Sequence, residues 1–384
     1  MATDNFYRVN WVDGMKISKN HFIEMEDSLL DTIKQNQLFN MTNSNYGLLP
    51  IIPGQESSLD LSMSMDGQST IDVKLNSCRA ITIGGVLINI SEEVSALMEQ
   101  SGHSLSKQYK VAKKDLEWYV VLVVNPFERI AFGSANPEEM PPRHPHVIPG
   151  YKLDIIPINE TSQQEIGKYH LTIGKIIIQD VGLVVDSNFI PPCTSMQSHP
   201  DLKFVYNEIG TFLNQLELFC VRITQKIYQK KQTNDLANIA LHLSQQLIQF
   251  LNAYLMEYRT ISQTEAPIKI FSRLGGLARV IKSSLDVFVG SGKEDFLNYL
   301  TEWCDLNQGA IEGVLIETIE INYVHTDINT SLQKISTFTR HMLILFKKLS
   351  ELDYIGKKPE TGIFVKEETV NDTEIKGRRS FLLD

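Results

Sequence analysis

The hydrophobic period changes once along this chain, and that change limits what the chain can fold into. Up to Pro191-Pro192 the apolar residues alternate with polar ones. Ile71, Val73 and Leu75 share one side of a strand, and after a break expected at Asn76 to Ala80, Val86, Ile88 and Ile90 keep period two around Gly84-Gly85. The segments Trp118 to Val124, Tyr151 to Ile158, His170 to Ile178 and Val181 to Val185 are rich in Val and Ile and punctuated by Pro, Gly and Asn. Several short strands with few helical stretches between them favour an antiparallel sandwich over a doubly wound sheet. The exception is an early helix predicted over Met25 to Phe39.

After Pro200 the spacing becomes helical. Leu202, Val205, Ile209, Phe212, Leu216, Phe219 and Ile223 recur every three or four residues. This stripe suits either a core within the domain or a bundle built between chains. Its width predicts that Val205, Ile209, Phe212, Leu216, Phe219 and Ile223 form part of a subunit interface. Further helices are expected over Leu236 to Tyr258, Ile268 to Phe288, Phe296 to Ile311 and Leu332 to Leu352. Gly275-Gly276 allows two of them to approach closely. The result is an α+β chain: a β-sandwich over residues 1–190, a helical bundle over 191–356 and a polar tail over 357–384. Asn125 to Gly150, with six prolines, is predicted to be a long loop or arm that excludes helix and central strand.

Composition removes several classes of function. The net charge of -10 argues against a nucleic-acid binder that works by neutralising phosphate. No apolar run approaches the roughly 20 residues that span a bilayer, and the N-terminus lacks a secretory pattern, so a cytoplasmic protein is expected. Cys78, Cys193, Cys220 and Cys304 are scattered without a CxxC, as reduced buried thiols would be. Gly290-Ser291-Gly292-Lys293 lacks the first glycine and the Ser or Thr of a phosphate loop, and reads as a turn between helices. His144 and His146 form an HxH pair without a third ligand, and His21 reads as a capping or buried histidine. No GxSxG or GxGxxG is found. The expectation is a noncatalytic protein with no cofactor, no metal, no small-molecule substrate and no nucleic-acid partner.

The segment WVDGMKISKNHF, Trp11 to Phe22, resembles the opening signature of the TssK family of type VI secretion baseplate proteins, W-x-E-G-M-x-L-x-P-Q-H-F. Trp11, Gly14, Met15, His21 and Phe22 match; Asp13 and Ile17 are mild replacements, and Lys19 and Asn20 depart. Tyr46-Gly47-Leu48, Pro141 to Pro145, Ile190 to Cys193 and the LGGL ending at Leu277 resemble later blocks in the expected order. The resemblance implies a homotrimeric adaptor with a shoulder like that of a phage receptor-binding protein and a helical neck. It implies partners among the baseplate wedge subunits and the inner-membrane anchor, and a place at the inner face of the inner membrane. Trp11, Gly14, Met15, His21, Phe22, Pro141, Pro142 and Arg143 are then the docking or arm residues. The family's C-terminal head has no counterpart before the tail. In its stead Phe364, Phe381 and Leu382 are expected to anchor a membrane partner. A tail or receptor-binding subunit of another phage-like contractile machine is the alternative.

Overall fold

The computed structural model describes residues 6–65, 70–110, 117–158, 167–179, 182–302 and 307–356. By its internal contacts the chain divides into two units. Unit 1 is Met1–Pro200 together with His325–Asp327; unit 2 is Asp201–Val324 together with the residues from Ile328 onward. Unit 1 carries the strands and unit 2 is helical, so the fold is α+β.

Unit 1 contains two antiparallel sheets. In the first, β3 (Thr70–Ile81) is paired with β1 (Gly47–Leu48), β2 (Leu59–Met65), β4 (Leu87–Ile90) and β5 (Ser106–Lys110). The second has the order β7 (His146–Pro157), β6 (Glu117–Phe132), β8 (His170–Gln179), β9 (Gly182–Val185). Period two brings Ile71, Val73 and Leu75 of β3 and Trp118, Val120 and Leu122 of β6 to the space between the sheets, where all are buried. The sheets touch where Tyr109 meets Trp118, ring centres 5.0 Å apart. They also touch at Gly174, where a Cβ would lie 3.0 Å from Leu61 Cδ2. On its outer side β6 packs Tyr119 and Val121 with Phe189.

Two local expectations are corrected. β3 runs unbroken through residues 76–80, and the hairpin turns instead at Thr82 to Val86, with Gly85 at φ +76°. Half of the supposed loop 125–150 is strand, and the two prolines inside strands fall where a ladder tolerates them, while the other four lie in the connection between β6 and β7. Pro126 lies in the register break between Asn125 and Ile130, and Pro149 lies on β7, the edge strand. Unit 1 also has two helices, α1 (Lys19–Leu38) and α2 (Glu92–Gln100), the second capped by the Ser91 hydroxyl accepting from Val94 N–H.

Unit 2 comprises α3 (Pro200–Gln229), α4 (Asp235–Glu257), α5 (Pro267–Asp286), α6 (Lys293–Thr301), α7 (Gln308–Ile319) and α8 (Ile328–Glu351). The starts follow from side-chain chemistry: Asn234 and Asn307 accept from Ala237 and Ala310 N–H, and Pro267 opens α5. Gly275 passes α7 closely, its missing Cβ 3.3 Å from Thr318 O. α4 ends in a π-turn, Tyr258–Ser262, where Tyr206 and Tyr258 stack 4.5 Å apart and each hydroxyl donates to the other's carbonyl. Among the described residues no helix is long and apolar enough to cross a membrane.

Candidate docking surface

α1 is an amphipathic helix turned inside out. At 100° per residue, Phe22, Met25, Leu29 and Ile33 fall in one narrow stripe, and Asp27, Asp31 and Lys34 fall on the opposite side. The polar side holds the helix to its own unit. Lys34 pairs with Asp31 at 2.6 Å, reaches the Tyr169 hydroxyl at 3.4 Å and sits over the Phe127 ring, 5.0 Å from its centre. Burial alone would lower the Lys34 ammonium, but its hydrogen bonds to Asp31 and Tyr169 win and hold its pKa above the usual value. Glu26, at the margin of the apolar stripe, pairs with Arg129 of β6 at 2.6 Å. Phe6 of the N-terminal arm stacks on Phe127 at 3.9 Å. Asp27 Oδ1 is buried without a hydrogen-bond partner, and desolvation raises that carboxyl's pKa against the pull of Arg129.

The apolar side faces out. Phe22, Met25, Leu29, Leu30 and Ile33 are 36–57% exposed, and Trp11, 46% exposed, lies beside Phe22 with ring centres 6.3 Å apart. With ~150–250 Å² per large side chain, these six expose roughly 600 Å². That is the top of the ~300–600 Å² range for the largest apolar patch on an ordinary monomer. His21 caps the helix: its Nδ1 accepts from Ser18 N–H at 3.2 Å, and its ring meets Trp11 edge-on at 6.0 Å. Gly14 makes a turn at φ +77°, from which Met15 N–H reaches back to Val12 O at 3.2 Å. Trp11, His21 and Phe22 are therefore brought together. Pro141, Pro142 and Arg143 lie elsewhere, exposed at the tip of the β6–β7 hairpin beside fully exposed Met140. Arg143 is paired through two nitrogens with Glu139, and His144 Nδ1 lies 2.6 Å from Gly133 O, which fixes the shape of the tip.

Two of the family-like segments are joined inside unit 1, and a return of the chain that sequence reasoning missed is added to them. Leu48 N–H donates to Pro192 O at 2.7 Å, and Thr194 N–H returns to Leu48 O at 3.0 Å. His325 Nε2 donates to Tyr46 O at 2.8 Å, and its ring meets that of Tyr46 at 4.8 Å. Desolvation takes the pKa of His325 down to about 4, against the Tyr46 carbonyl, so the neutral imidazole is the folded form. Asp327 follows, 3.4 Å from Lys175, which also pairs with Glu117 at 2.9 Å. Three residues between two helices carry no period, so no pattern in the sequence could have revealed this return.

The proposed interface on α3 is corrected. Val205, Ile209, Phe212, Leu216, Phe219 and Ile223 are all buried within the single chain, and Phe212 meets Phe338 of α8 at 6.3 Å. A broad apolar stripe on a long helix is fully used when several helices of the same unit cover it. Phe364, Phe381 and Leu382 lie outside the described residues, as does Cys304; Cys78, Cys193 and Cys220 are buried free thiols. Lys293 of the Gly-Ser-Gly-Lys turn is bound to Asp286 at 2.6 Å and Glu312 at 2.7 Å, an internal ion pair and not a phosphate cradle. Among the described residues, no three His, Cys, Asp or Glu side chains are placed to hold a metal ion.

No protein-family profile matches the chain, and no curated protein matches it in sequence. Among solved structures, a crystal structure of TssK is 16% identical, with a TM-score of 0.49 over 90% of this chain and 70% of that one. A chain from a type VI secretion TssK-TssF-TssG baseplate subcomplex is 13% identical, with a TM-score of 0.44 over 91% of this chain and 100% of that one. A chain from a type VI secretion baseplate complex is 15% identical, with a TM-score of 0.45 over 90% of this chain and 100% of that one. The chain is similar to these solved structures at identities of 13–16% and TM-scores below 0.5.

Proposed function

We propose that this protein is a structural adaptor of a type VI secretion baseplate, a part that works by shape and contact and not by turnover. The observation that carries this reading is the outward apolar stripe of α1, beside Trp11 of the family-like signature, on a helix tied to its own unit by Lys34 and Glu26. Water leaves such a patch at about 25 cal/mol per Å² when a partner covers it.

In this reading unit 1 is the shoulder. The arm and α1 seat on the wedge subunits, and Pro141, Pro142 and Arg143 add a second contact. Unit 2 is the neck, through which the chain associates with itself as a homotrimer. Residues 357–384, through Phe364, Phe381 and Leu382, engage the inner-membrane anchor, so that the protein works in the cytoplasm at the inner face of that membrane.

The test is co-expression with the wedge subunits of the same system. Leu29→Asp with Ile33→Asp changes exposed positions only, so the chain is expected to keep its melting temperature while capture of the wedge subunits falls at least about tenfold, the 1.4 kcal/mol per decade of binding. Undiminished capture by a folded variant would overturn the reading.

A further inference from the structure

The polypeptide leaves α8 through a closely held exit. Lys226 donates to Ser350 O at 2.6 Å and to Leu352 O, and Lys230 pairs with Asp353. Gln232 Oε1 accepts from Ile355 N–H at 3.0 Å, and Asn234 Nδ2 donates to Ile355 O at 3.1 Å. Gly356 follows at φ +84°, where a Cβ would lie 3.3 Å from both Asn234 Oδ1 and Leu236 Cδ1. The chain is thereby delivered into a cleft of about 940 Å³ that Gly356 itself helps to line. α4 contributes Asp235 and Leu236 to the cleft; Asp295, Tyr299 and Glu302 come from one row along α6 and its C-terminal cap. No Lys or Arg lines it, and among the described residues none of the three carboxylates has an ion-pair partner. The exit also holds an unmet donor. Gln232 is 5% exposed, and its Nε2 has no acceptor among the described residues although the oxygen of the same amide holds Ile355.

The next residues in the sequence are Lys357, Lys358 and Pro359. A proline forces the residue before it into an extended conformation, and neighbouring side chains of an extended chain point to opposite sides. Two adjacent ammonium groups can therefore address α4 and α6 at once. We propose that Lys357 and Lys358 lie back in this cleft of their own chain, paired with Asp235 on α4 and with Asp295 and Glu302 on α6, and that carbonyls of the segment meet the Gln232 amide. Exposed ion pairs are individually weak, but Lys357 is bonded directly to a lining residue, so its effective concentration at the cleft is high. The contact sets the direction in which the tail leaves unit 2. It leaves the residues from Thr361 onward, Phe364 among them, for the partner proposed above, and does not rest on that partner.

Full-length protein is treated with a water-soluble carbodiimide, which joins a carboxylate to an amine touching it as an amide, and the band with the mass of one chain is digested for mass spectrometry. Links from Lys357 or Lys358 to Asp235, Asp295 or Glu302 are expected. Limited digestion with trypsin supplies the second measurement, read at the cut after Lys357; Pro359 shields the bond after Lys358. Asp295→Asn with Glu302→Gln changes exposed positions only. It is expected to speed that cut about threefold or more, because cleavage follows the fraction of the segment that is undocked. The cuts after Lys376 and Arg379 are expected to keep their rates. So is the cut after Lys357 in Glu294→Gln, which alters an exposed carboxylate of α6 outside the cleft. If the expected links are absent, fall on other carboxylates or appear only in a band of two chains, the segment lies elsewhere or a second copy fills the cleft, and the inference is overturned. An unchanged cut after Lys357 in the double variant overturns it too. Neither result bears on capture of the wedge subunits, which tests the adaptor reading separately.

Discussion

A methyl group at position 47 has no room. Built on Gly47, it lies 2.0 Å from Pro192 O, and the backbone there has φ +114°, where side chains other than glycine are strained. Gly47→Ala should therefore lose Leu48's bond to Pro192 and cost about 3 kcal/mol or more, read as a shift in urea midpoint. His325 gives a second prediction, with a definite sign. Its pKa is about 4 when folded against 6.5 free, so between those values the unfolded chain binds the extra proton. Its contribution to stability is complete above pH 6.5 and is lost as pH falls towards 4, about 3 kcal/mol in all. Urea midpoints measured from pH 7 to 4 should fall less steeply in His325→Gln than in the wild type. Parallel slopes would show that the imidazole does not carry the effect. The sequence marked Tyr46-Gly47-Leu48 and Ile190 to Cys193 as separate blocks. Their packing against each other and against His325 depends on long-range pairing that no local pattern encodes.

Two helices show what period alone can and cannot say. α1 and α3 both carry apolar residues at spacings of three and four, and both read as faces seeking a neighbour. In α3 the neighbours are in the same chain; in α1 the stripe is left outside while Lys34, on the other side, reaches Phe127 and Tyr169 of its own unit. The spacing reveals the existence of a stripe, whereas the tertiary fold decides what covers it. The same limit explains the β6–β7 hairpin, whose prolines excluded a central strand but not an edge. Phe212→Asp or Leu216→Asp should therefore place a lone carboxylate in the core of unit 2 and cost several kcal/mol, melting the helical signal and not merely separating chains. Leu29→Asp should shift the melting by less than about 0.5 kcal/mol. Thermal melts of the two variants side by side check the contrast, and equal destabilisation would contradict the burial pattern.

At the scale of the whole molecule, the change of hydrophobic period marks the change of unit in sequence but not its full extent in space. Unit 1 is completed by His325–Asp327, which reach it after most of unit 2 has been made. Residues 1–200 alone would contain every strand among the described residues together with α1 and α2, yet lack the donor to Tyr46 O and the carboxylate of Asp327 beside Lys175. Lys175 would keep Glu117, so its charge would stay compensated. The buried Tyr46 carbonyl would not be, and an unmet buried acceptor costs about 1–3 kcal/mol. The fragment holds Trp11 and Trp118, the latter buried between the sheets, so fluorescence reports its unfolding directly. Its urea midpoint should lie below that of unit 1 in the full chain carrying Trp303→Phe, and His325→Ala in that full chain should reproduce most of the loss. If the fragment unfolds at the same midpoint as the full chain, the three returning residues contribute nothing, and unit 1 is a domain that ends at Pro200.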